Sequence, residues 1–411
     1  MGTSNSGSQS TQVLIIGSGP TGLLLAQGLK KSGIKAIVFE RYDEDKIASY
    51  SRDWNFGLHW GHDSLVAMLP SELADKLKDT QTDPTLEPHD DDTLPFKHGE
   101  TGDIILRIPT GKFIRYTRSK LLNLLKQGID LRCGKELTNI RYGDARSVIA
   151  EFGDGTAATG QLLVGADGTR SAVRKLLLGP KAEPRRLPYT AVWTQKTGFS
   201  REQAIQLRQW NPQHMAGVHP AGMFMFHGMQ DVPDLEDPTQ WKYFFYISWP
   251  SSIEWQDSAK DFTSEQWLAE GRKRASMCCD PWPIDFGSLA DDHPMWHIFM
   301  SDWDPSAEGC KWDTHDGRVT LAGDAAHSIT FQRGQGLNHS LQDVVNLWKE
   351  IIACLGPNAY CTQADAIARY EEEMVARTGA ETKMCTMNTH MLHDWSKVQQ
   401  SPVFKRGVAR A

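Results

Sequence analysis
The sequence predicts an α/β fold in two parts, a Rossmann-like nucleotide-binding unit and an α+β unit built on an antiparallel sheet, followed by C-terminal helices. Three observations predict it. The separated segments Val13–Gly22, Gly165–Arg170 and Leu321–His327 each read as a piece of one dinucleotide cradle. From Tyr189 the strand–helix alternation gives way to aromatic strand patterns, and ten of the fourteen tryptophans fall between residues 190 and 312. Beyond Leu337 the pattern becomes helical.

The first segment is an apolar run, Val13–Ile16, entering a turn with glycines at 17, 19 and 22, and Leu23–Lys30 follows in helical pattern. Gly17 permits the turn, Gly19 lets the backbone approach a pyrophosphate, and Gly22 lets the helix lie close to the strand. Thr21 belongs to the same turn and is a further candidate contact. The helix start offers unpaired N–H groups to phosphate, with a dipole contribution of roughly 0.3–1 kcal/mol per charge. A second strand, Lys35–Glu40, ends in an acid 18 residues after Gly22. A carboxylate there can hydrogen-bond a ribose hydroxyl and would repel a 2′-phosphate. Arg41 beside it is also a candidate cofactor contact. In a chain with 35 glycines among 411 residues, the glycine spacing alone arises by chance roughly 0.2 times, so the flanking strand, helix and Glu40 carry its meaning.

Helical turns are expected near Asp63–Leu77, broken at Pro70, and residues 80–102, rich in Asp, Pro and Thr, read as a surface excursion. Ile104–Pro109 and Lys112–Tyr116 read as short strands, residues 117–126 as a helix, and Leu131–Cys133, Leu137–Tyr142 and Ser147–Phe152 as strands, with Asp154-Gly155 a hairpin signal. Gln161–Gly165 is a buried strand entering the second cradle segment. Ala221–His227 and Lys242–Trp249 are strands of the aromatic part, and Leu337–Ile352 and Asp365–Asp394 are helical. The expected division is therefore a discontinuous nucleotide-binding domain (11–79, 103–188 and 295–355), a second domain (189–294 with the 80–102 excursion), and a C-terminal helical segment (356–411).

A net charge of −7 argues against a general nucleic-acid binder. The seven cysteines include no CxxC pair and no metal-ligand spacing, so reduced thiols and no metal site are expected. Met1–Ser10 lacks the cationic and apolar blocks of a signal peptide, and no run approaches 18 apolar residues, so the reading is a soluble, cytoplasmic protein, monomeric or homodimeric.

In the third segment, Asp324 follows a strand, His327 comes three residues later, and a glycine-rich turn with Gly334 and Gly336 opens a helix at Leu337 and Asn338. With the other two segments, in this order over most of residues 11–355, the chain resembles the group A FAD-dependent monooxygenases, the para-hydroxybenzoate and salicylate hydroxylase superfamily, and especially its fungal secondary-metabolism members. The resemblance implies FAD on a glutathione-reductase-type nucleotide fold, with NADPH or NADH as a transient reductant. It places Asp324 at the ribityl and pyrophosphate region and aims the helix start at Leu337 and Asn338 toward the flavin N1/C2 carbonyl, where reduced flavin is anionic. Arg52, twelve residues beyond Glu40, and Arg118 are similar to the family's basic groups that offset the pyrophosphate, and Asp167 with Arg174 to its motif for FAD and nicotinamide contact. His327 reads as a structural group near the phosphates. Where relatives usually carry a proline beside the isoalloxazine, this chain has Phe331.

In that family reduced flavin captures O2 at C4a, and the hydroperoxide oxidises an electron-rich substrate. The resemblance thus implies an oxidoreductase that hydroxylates, epoxidises or oxidatively rearranges an aromatic or polycyclic natural-product substrate. The protein must exclude water and can help move a phenolic proton. His227 and Tyr246, on strands of the aromatic sheet, are the candidates for that task. Alternation puts Tyr243, Phe245, Ile247 and Trp249 on one face and Phe244, Tyr246 and Ser248 on the other; either face is open to the flavin. Phe331 keeps a rival reading alive, a flavoprotein oxidase or dehydrogenase of the same fold without oxygen transfer. A non-enzymatic flavin-binding sensor is a third. A flavin-dependent halogenase should show Trp-x-Trp-x-Ile-Pro, which Trp249-Pro-Ser-Ser-Ile-Glu-Trp255 does not match.

Overall fold
The computed structural model describes residues 12–49, 52–144 and 147–407. Met1–Ser10, read above for a signal sequence, lies outside the described residues. Five parallel strands form the nucleotide-binding sheet, in spatial order Val319–Leu321, Leu162–Gly165, Gln12–Ile16, Lys35–Phe39 and Leu131–Arg132. Val13, Leu14, Ile15, Leu162, Leu163 and Val164 are all fully buried, as the continuous apolar runs of a parallel sheet covered on both faces should be. The helix Pro20–Lys31 buries Leu24, Leu25 and Leu29 against this sheet. The helix Gly336–Leu355 packs on it in turn, with Trp348 Nε1 donating to Gly28 O at 3.1 Å. An antiparallel meander (Leu137–Tyr142, Val148–Phe152, Ala157–Gly160) makes the crossover into Leu162–Gly165.

The second sheet has seven strands in the order Trp296–Asp302, Arg185–Lys196, Lys242–Pro250, Met223–Asp231, His214–His219, Thr93–His98 and Ile104–Pro109. It is antiparallel except where His214–His219 runs beside Thr93–His98. One face packs Met225, Phe245 and Ile247 with Trp267, Trp282 and Phe286 from helices Ser264–Ala275 and Trp282–Gly287. The other turns Phe224, Phe226, Phe244 and Tyr246 toward Trp54 and Phe331 of the nucleotide-binding side. Between the two sheets, Asn55–Leu58 pairs antiparallel with Ile114–Thr117.

The sheets divide the chain differently from the expected boundaries in two places. Ile104–Pro109, expected in the nucleotide-binding domain, instead pairs in the seven-stranded sheet with Thr93–His98, a strand of the 80–102 excursion that buries Leu94 and Phe96. Trp296–Asp302, placed with the nucleotide-binding segments, instead forms the edge of the seven-stranded sheet. The acidic run Asp90–Asp92 directly before Thr93 hides the apolar alternation that follows. Four helices beyond those expected from the sequence, Arg201–Trp210, Ile253–Ala259, Ser264–Ala275 and Trp282–Gly287, cover the sheet's outer face. The C-terminal segment is a strap across both parts. Its helix Gln363–Leu392 donates Tyr370 Oη to Leu321 O (2.9 Å), and Thr389 Oγ1 to Gln332 Oε1 (2.8 Å), while His393 Nε2 lies 2.9 Å from Ser248 Oγ.

One contact of this strap makes stability pH-dependent. Glu371 Oε1 accepts hydrogen bonds from Trp312 Nε1 and Thr320 Oγ1, both at 2.7 Å, and burial raises its carboxyl to about 7. A carboxyl that holds its proton more tightly folded than unfolded stabilises below its ordinary range and loses that stability as pH rises through 7. Glu371→Gln keeps an acceptor for both donors and removes the charge. The variant should match the parent near pH 5 and exceed it by about 1–3 kcal/mol at pH 8 in denaturant titrations. Equal stabilities at both pH values would contradict this assignment.

Candidate active site
The glycine turn separates packing from ligand space. Gly17 has φ 108°, its N–H donates to Phe39 O at 2.8 Å, and a Cβ on it would lie 2.4 Å from Ala166 O. A Cβ on Gly22 would lie 2.1 Å from Gly17 O, so this glycine lets helix and strand touch. Gly19 differs, because a Cβ there would meet no atom within 4 Å. It is the N-cap of the helix Pro20–Lys31, and no side chain caps that helix start among the described residues. Open space thus faces the positive end of this helix, the arrangement that takes phosphate. Thr21 is buried against the third segment, where a Cβ on Gly323 would come 2.6 Å from Thr21 Oγ1.

Glu40 closes the adjacent strand, and its carboxylate accepts from Ser18 Oγ (2.7 Å), Ser18 N (3.2 Å) and Tyr42 N (3.1 Å). Arg41 is exposed and stacks on Tyr42. Asp324 presents an exposed side chain toward the start of the helix Gly336–Leu355, with its Oδ1 3.9 Å from where a Gly336 Cβ would stand. That helix too starts without a side-chain cap among the described residues, and Leu337 is half-buried against the nucleotide-binding core. Arg118 and Arg52 flank Trp54, with guanidinium carbons 4.4 Å and 5.6 Å from its ring. Arg52 also lies 5.0 Å from the Trp193 ring, and its Nε is buried with no hydrogen-bond partner.

Three expected cofactor contacts are spent on the protein itself. Asp167 accepts from Ser171 Oγ (2.5 Å), Ala172 N (2.6 Å) and Val173 N (3.2 Å), capping the helix Ala172–Leu178. Arg174 is 1% exposed, lies over Trp303, and donates to Thr169 O, Ala182 O, Asp324 O and Ala325 O, so it clamps the second segment to the third. Asn338 is fully buried. Its Oδ1 accepts from the N–H groups of His59, Trp60 and Gly61, and its Nδ2 donates to Gly57 O and Gly334 O. These side chains shape the cradle from behind, while backbone and Asp324 face it. His327 has the structural role expected of it, pairing with Asp343 at 2.5 Å; Asp343 in turn holds Gly323 N and Arg377. Burial alone would raise the Asp343 carboxyl, but His327 and Arg377 outweigh it and hold it at about 2.

Beside the cradle lies a cavity of about 290 Å³ between the two sheets. Its wall is mainly aromatic, Trp54, Trp193, Phe226, Phe244, Tyr246 and Phe331 among its rings, and Gly334 and Arg52 join it to the cradle. The Tyr246 ring stacks on Phe226 (5.4 Å, 11°) and meets Phe331 edge-on at 5.2 Å. Burial pushes the Tyr246 phenol well above its usual range, leaving a neutral O–H at physiological pH. His227 is on the opposite face. It is 1% exposed, bonded to Asp285 at 2.8 Å and stacked on Tyr243. Strand alternation sends Phe226 into the cavity and His227 outward with Met225, which corrects its expected position. Residues not among the expected contacts complete the wall: His59 stacked on Phe113 (4.3 Å), His214, Arg115 and Arg333. Burial, with Arg333 nearby, lowers His59 to about 3, and burial with Arg115 and His59 keeps His214 well below its usual range. Both imidazoles are neutral. Arg333 lies in the third segment, where it could have been noticed; Arg115 lies on a four-residue strand that carries no signature.

A parallel sheet with two helix starts that no side chain caps, an open glycine, a carboxylate at the end of the adjacent strand and an adjoining aromatic cavity makes up a site suited to a flavin-dependent oxidoreductase. The residues present fit FAD: space is reserved at Gly19 where a side chain would intrude on nothing else, and Arg52 Nε is buried without a partner. Residues 10–54 and 297–382 match the family described as FAD binding domain. The chain is 33% identical to the FAD-dependent monooxygenase cctM of Talaromyces islandicus over 98% of both chains. It is 34% identical to the FAD-dependent monooxygenase phnB of Penicillium herquei over 97% of this chain and 95% of that one. The crystal structure of Klebsiella pneumoniae HpxO complexed with FAD and uric acid shares the fold, with a TM-score of 0.74 at 19% identity over 97% of this chain and 92% of that one. The chain belongs to the group A FAD-dependent monooxygenases, and FAD is its cofactor. No helix among the described residues is long and apolar enough to cross a membrane.

Proposed function
We propose that the enzyme uses NADPH or NADH and O2 to insert one oxygen atom into a flat aromatic or polycyclic substrate bound in the cavity between the sheets. The outcome is hydroxylation, epoxidation or oxidative rearrangement. The observation that carries this reading is the aromatic cavity of about 290 Å³ adjoining the cradle at Arg52 and Gly334. HpxO was crystallised with uric acid, a flat heterocycle, on the same fold. When bound, FAD supplies two-electron redox chemistry and the activation of O2. The polypeptide supplies the rest. Gly19, the first helix start, Glu40, Arg41, Arg52, Arg118 and Asp324 would hold the dinucleotide, with Asp167, Arg174 and Asn338 fixing the loops that carry these contacts. Trp54, Trp193, Phe244 and Phe331 exclude water and hold a planar ring by stacking, each aromatic pair contributing about 0.5–1.5 kcal/mol beyond its buried area. Tyr246, as a neutral donor, orients a substrate oxygen rather than removing a proton.

The test is a screen of planar phenols and polycyclic enols for substrate-dependent NAD(P)H oxidation, followed by product mass under 18O2. One labelled atom in the product is expected, and Tyr246→Phe should lower turnover by about 10²-fold at unchanged FAD content. A product oxidised by two electrons without label would favour the oxidase or dehydrogenase reading. FAD binding without any NAD(P)H turnover would favour the sensor.

A further inference from the structure
Among the described residues three arginines are less than 5% exposed, Arg115, Arg174 and Arg333, and two of them have their charge answered. Arg174 lies among backbone carbonyls with the charges of Asp167, Glu183 and Asp324 around it. Arg333 pairs with Glu381. Arg115 is 4% exposed, donates from Nη1 to the single carbonyl of Gln213, and lies 5.5 Å over the Phe226 ring. Its Nη2 is buried with no hydrogen-bond partner, and no acidic residue is among those lining the cavity. The flanking imidazoles, His214 and His59, are neutral donors or acceptors and supply no counter-charge. Burial draws Arg115 down to about 9, still charged at neutral pH.

The position is built for a guanidinium. Gly228 on the neighbouring strand leaves the room it needs, since a Cβ there would stand 2.7 Å from Nη1 and 3.0 Å from Nη2. An uncompensated buried cation is costly unless a counter-ion arrives with a ligand. Arginine binds planar oxyanions through charge-assisted bonds.

We propose that Arg115 is the anion anchor of this cavity, so that the substrate binds as a planar aromatic anion with its carboxylate, phenolate or enolate oxygen on the guanidinium. This rests on the reading of the cavity as the substrate site. It narrows the substrate class to aromatic acids and acidic phenols or enols, and it makes Arg115 the residue that discriminates them from neutral analogues of the same shape.

The FAD-loaded enzyme is titrated calorimetrically with two probe pairs: 2-naphthoate against 2-naphthamide for the carboxylate arm, and 2-hydroxy-1,4-naphthoquinone against its methyl ether for the enolate arm. In at least one pair the anion should bind about 10-fold tighter or more. Arg115→Gln and Arg115→Met should bring that ratio near one while the neutral probe binds as before, and Arg115→Lys should keep part of the preference. The ligand-free melting temperature of the uncharged variants should hold or rise, because a buried charge without a partner is removed; a merely structural arginine would lower it. The proposal is overturned if neither anion is preferred by the parent enzyme, or if the preference survives in both uncharged variants. Failure of the 18O2 screen to label any product would instead sink the proposed function, and the probe ratios would still report on Arg115.

Discussion

Gly19→Val is expected to give a folded, colourless protein. The backbone at Gly19 has φ −71°, which any residue adopts, and the space above it contains no protein atom within 4 Å. A side chain there is tolerated by the fold and would occupy the room proposed above for the pyrophosphate. The neighbouring glycines give the contrasting result. Gly22→Ala drives a methyl group to 2.1 Å from Gly17 O, and Gly17→Ala meets Ala166 O at 2.4 Å in a backbone region L residues avoid. Backbone atoms cannot step aside as a flexible side chain can, so each of these should cost about 1–3 kcal/mol or more in stability. Gly19→Val should keep the ligand-free melting temperature while raising the FAD Kd at least about 100-fold, roughly 2.7 kcal/mol. Visible absorbance after purification and a calorimetric FAD titration decide the matter. A yellow Gly19→Val enzyme with FAD affinity within about threefold of the parent would remove the pyrophosphate from this turn.

That contrast also marks how far the sequence could be read. The glycine turn, Glu40 and the strand-helix order are local patterns, and each lies where the spacing put it. Most element limits agree to within a few residues: Leu137–Tyr142 is identical, and the helix expected at Asp365–Asp394 runs Gln363–Leu392. What spacing could not convey is the direction of a side chain once the chain has folded. Asp167, Arg174 and Asn338 lie in the cradle segments as expected, yet their polar atoms are consumed by Ser171, Ala182 and Gly57, partners supplied by loop geometry. His227 and Tyr246 were equivalent as aromatic-strand residues. Period-two alternation gives two faces, and only the packing of Trp267, Trp282 and Phe286 decides which is outer. The omitted helices did leave a trace. Ser200 with Gln203, and Thr263 with Gln266, form capping boxes at the starts of Arg201–Trp210 and Ser264–Ala275. The density of tryptophan around them favours strand patterns and masks these signals. Arg115 left no trace, because a lone arginine in a short strand has meaning only when the atoms around it are known.

Glu381→Leu is expected to be the most damaging single change away from the cradle. Arg333 and Glu381 are 1% and 2% exposed and form an ion pair on the wall between the cavity and the helix Gln363–Leu392. Burial alone would raise the Glu381 carboxyl, but His339 and Arg333 outweigh it and hold it below its usual range. The carboxylate also accepts from Cys385 Sγ at 3.1 Å. Arg333 already has Nε and Nη2 buried without partners, so it has no second acid to turn to. Removing one member of a buried pair strands the other, at about 3–5 kcal/mol, whereas replacing both with apolar side chains of similar volume is often close to neutral. Glu381→Leu should therefore lower the denaturant midpoint by that amount, and Arg333→Met combined with Glu381→Leu should recover most of the loss. The coupling also has a functional side. Arg333 immediately precedes Gly334, which joins the cavity to the cradle, and its charge contributes to keeping His59 neutral. The double variant should thus fold and bind FAD while His59 titrates closer to its ordinary range, a shift visible by NMR. A single variant as stable as the parent would mean that Arg333 had found solvent, and would contradict the closed wall described here.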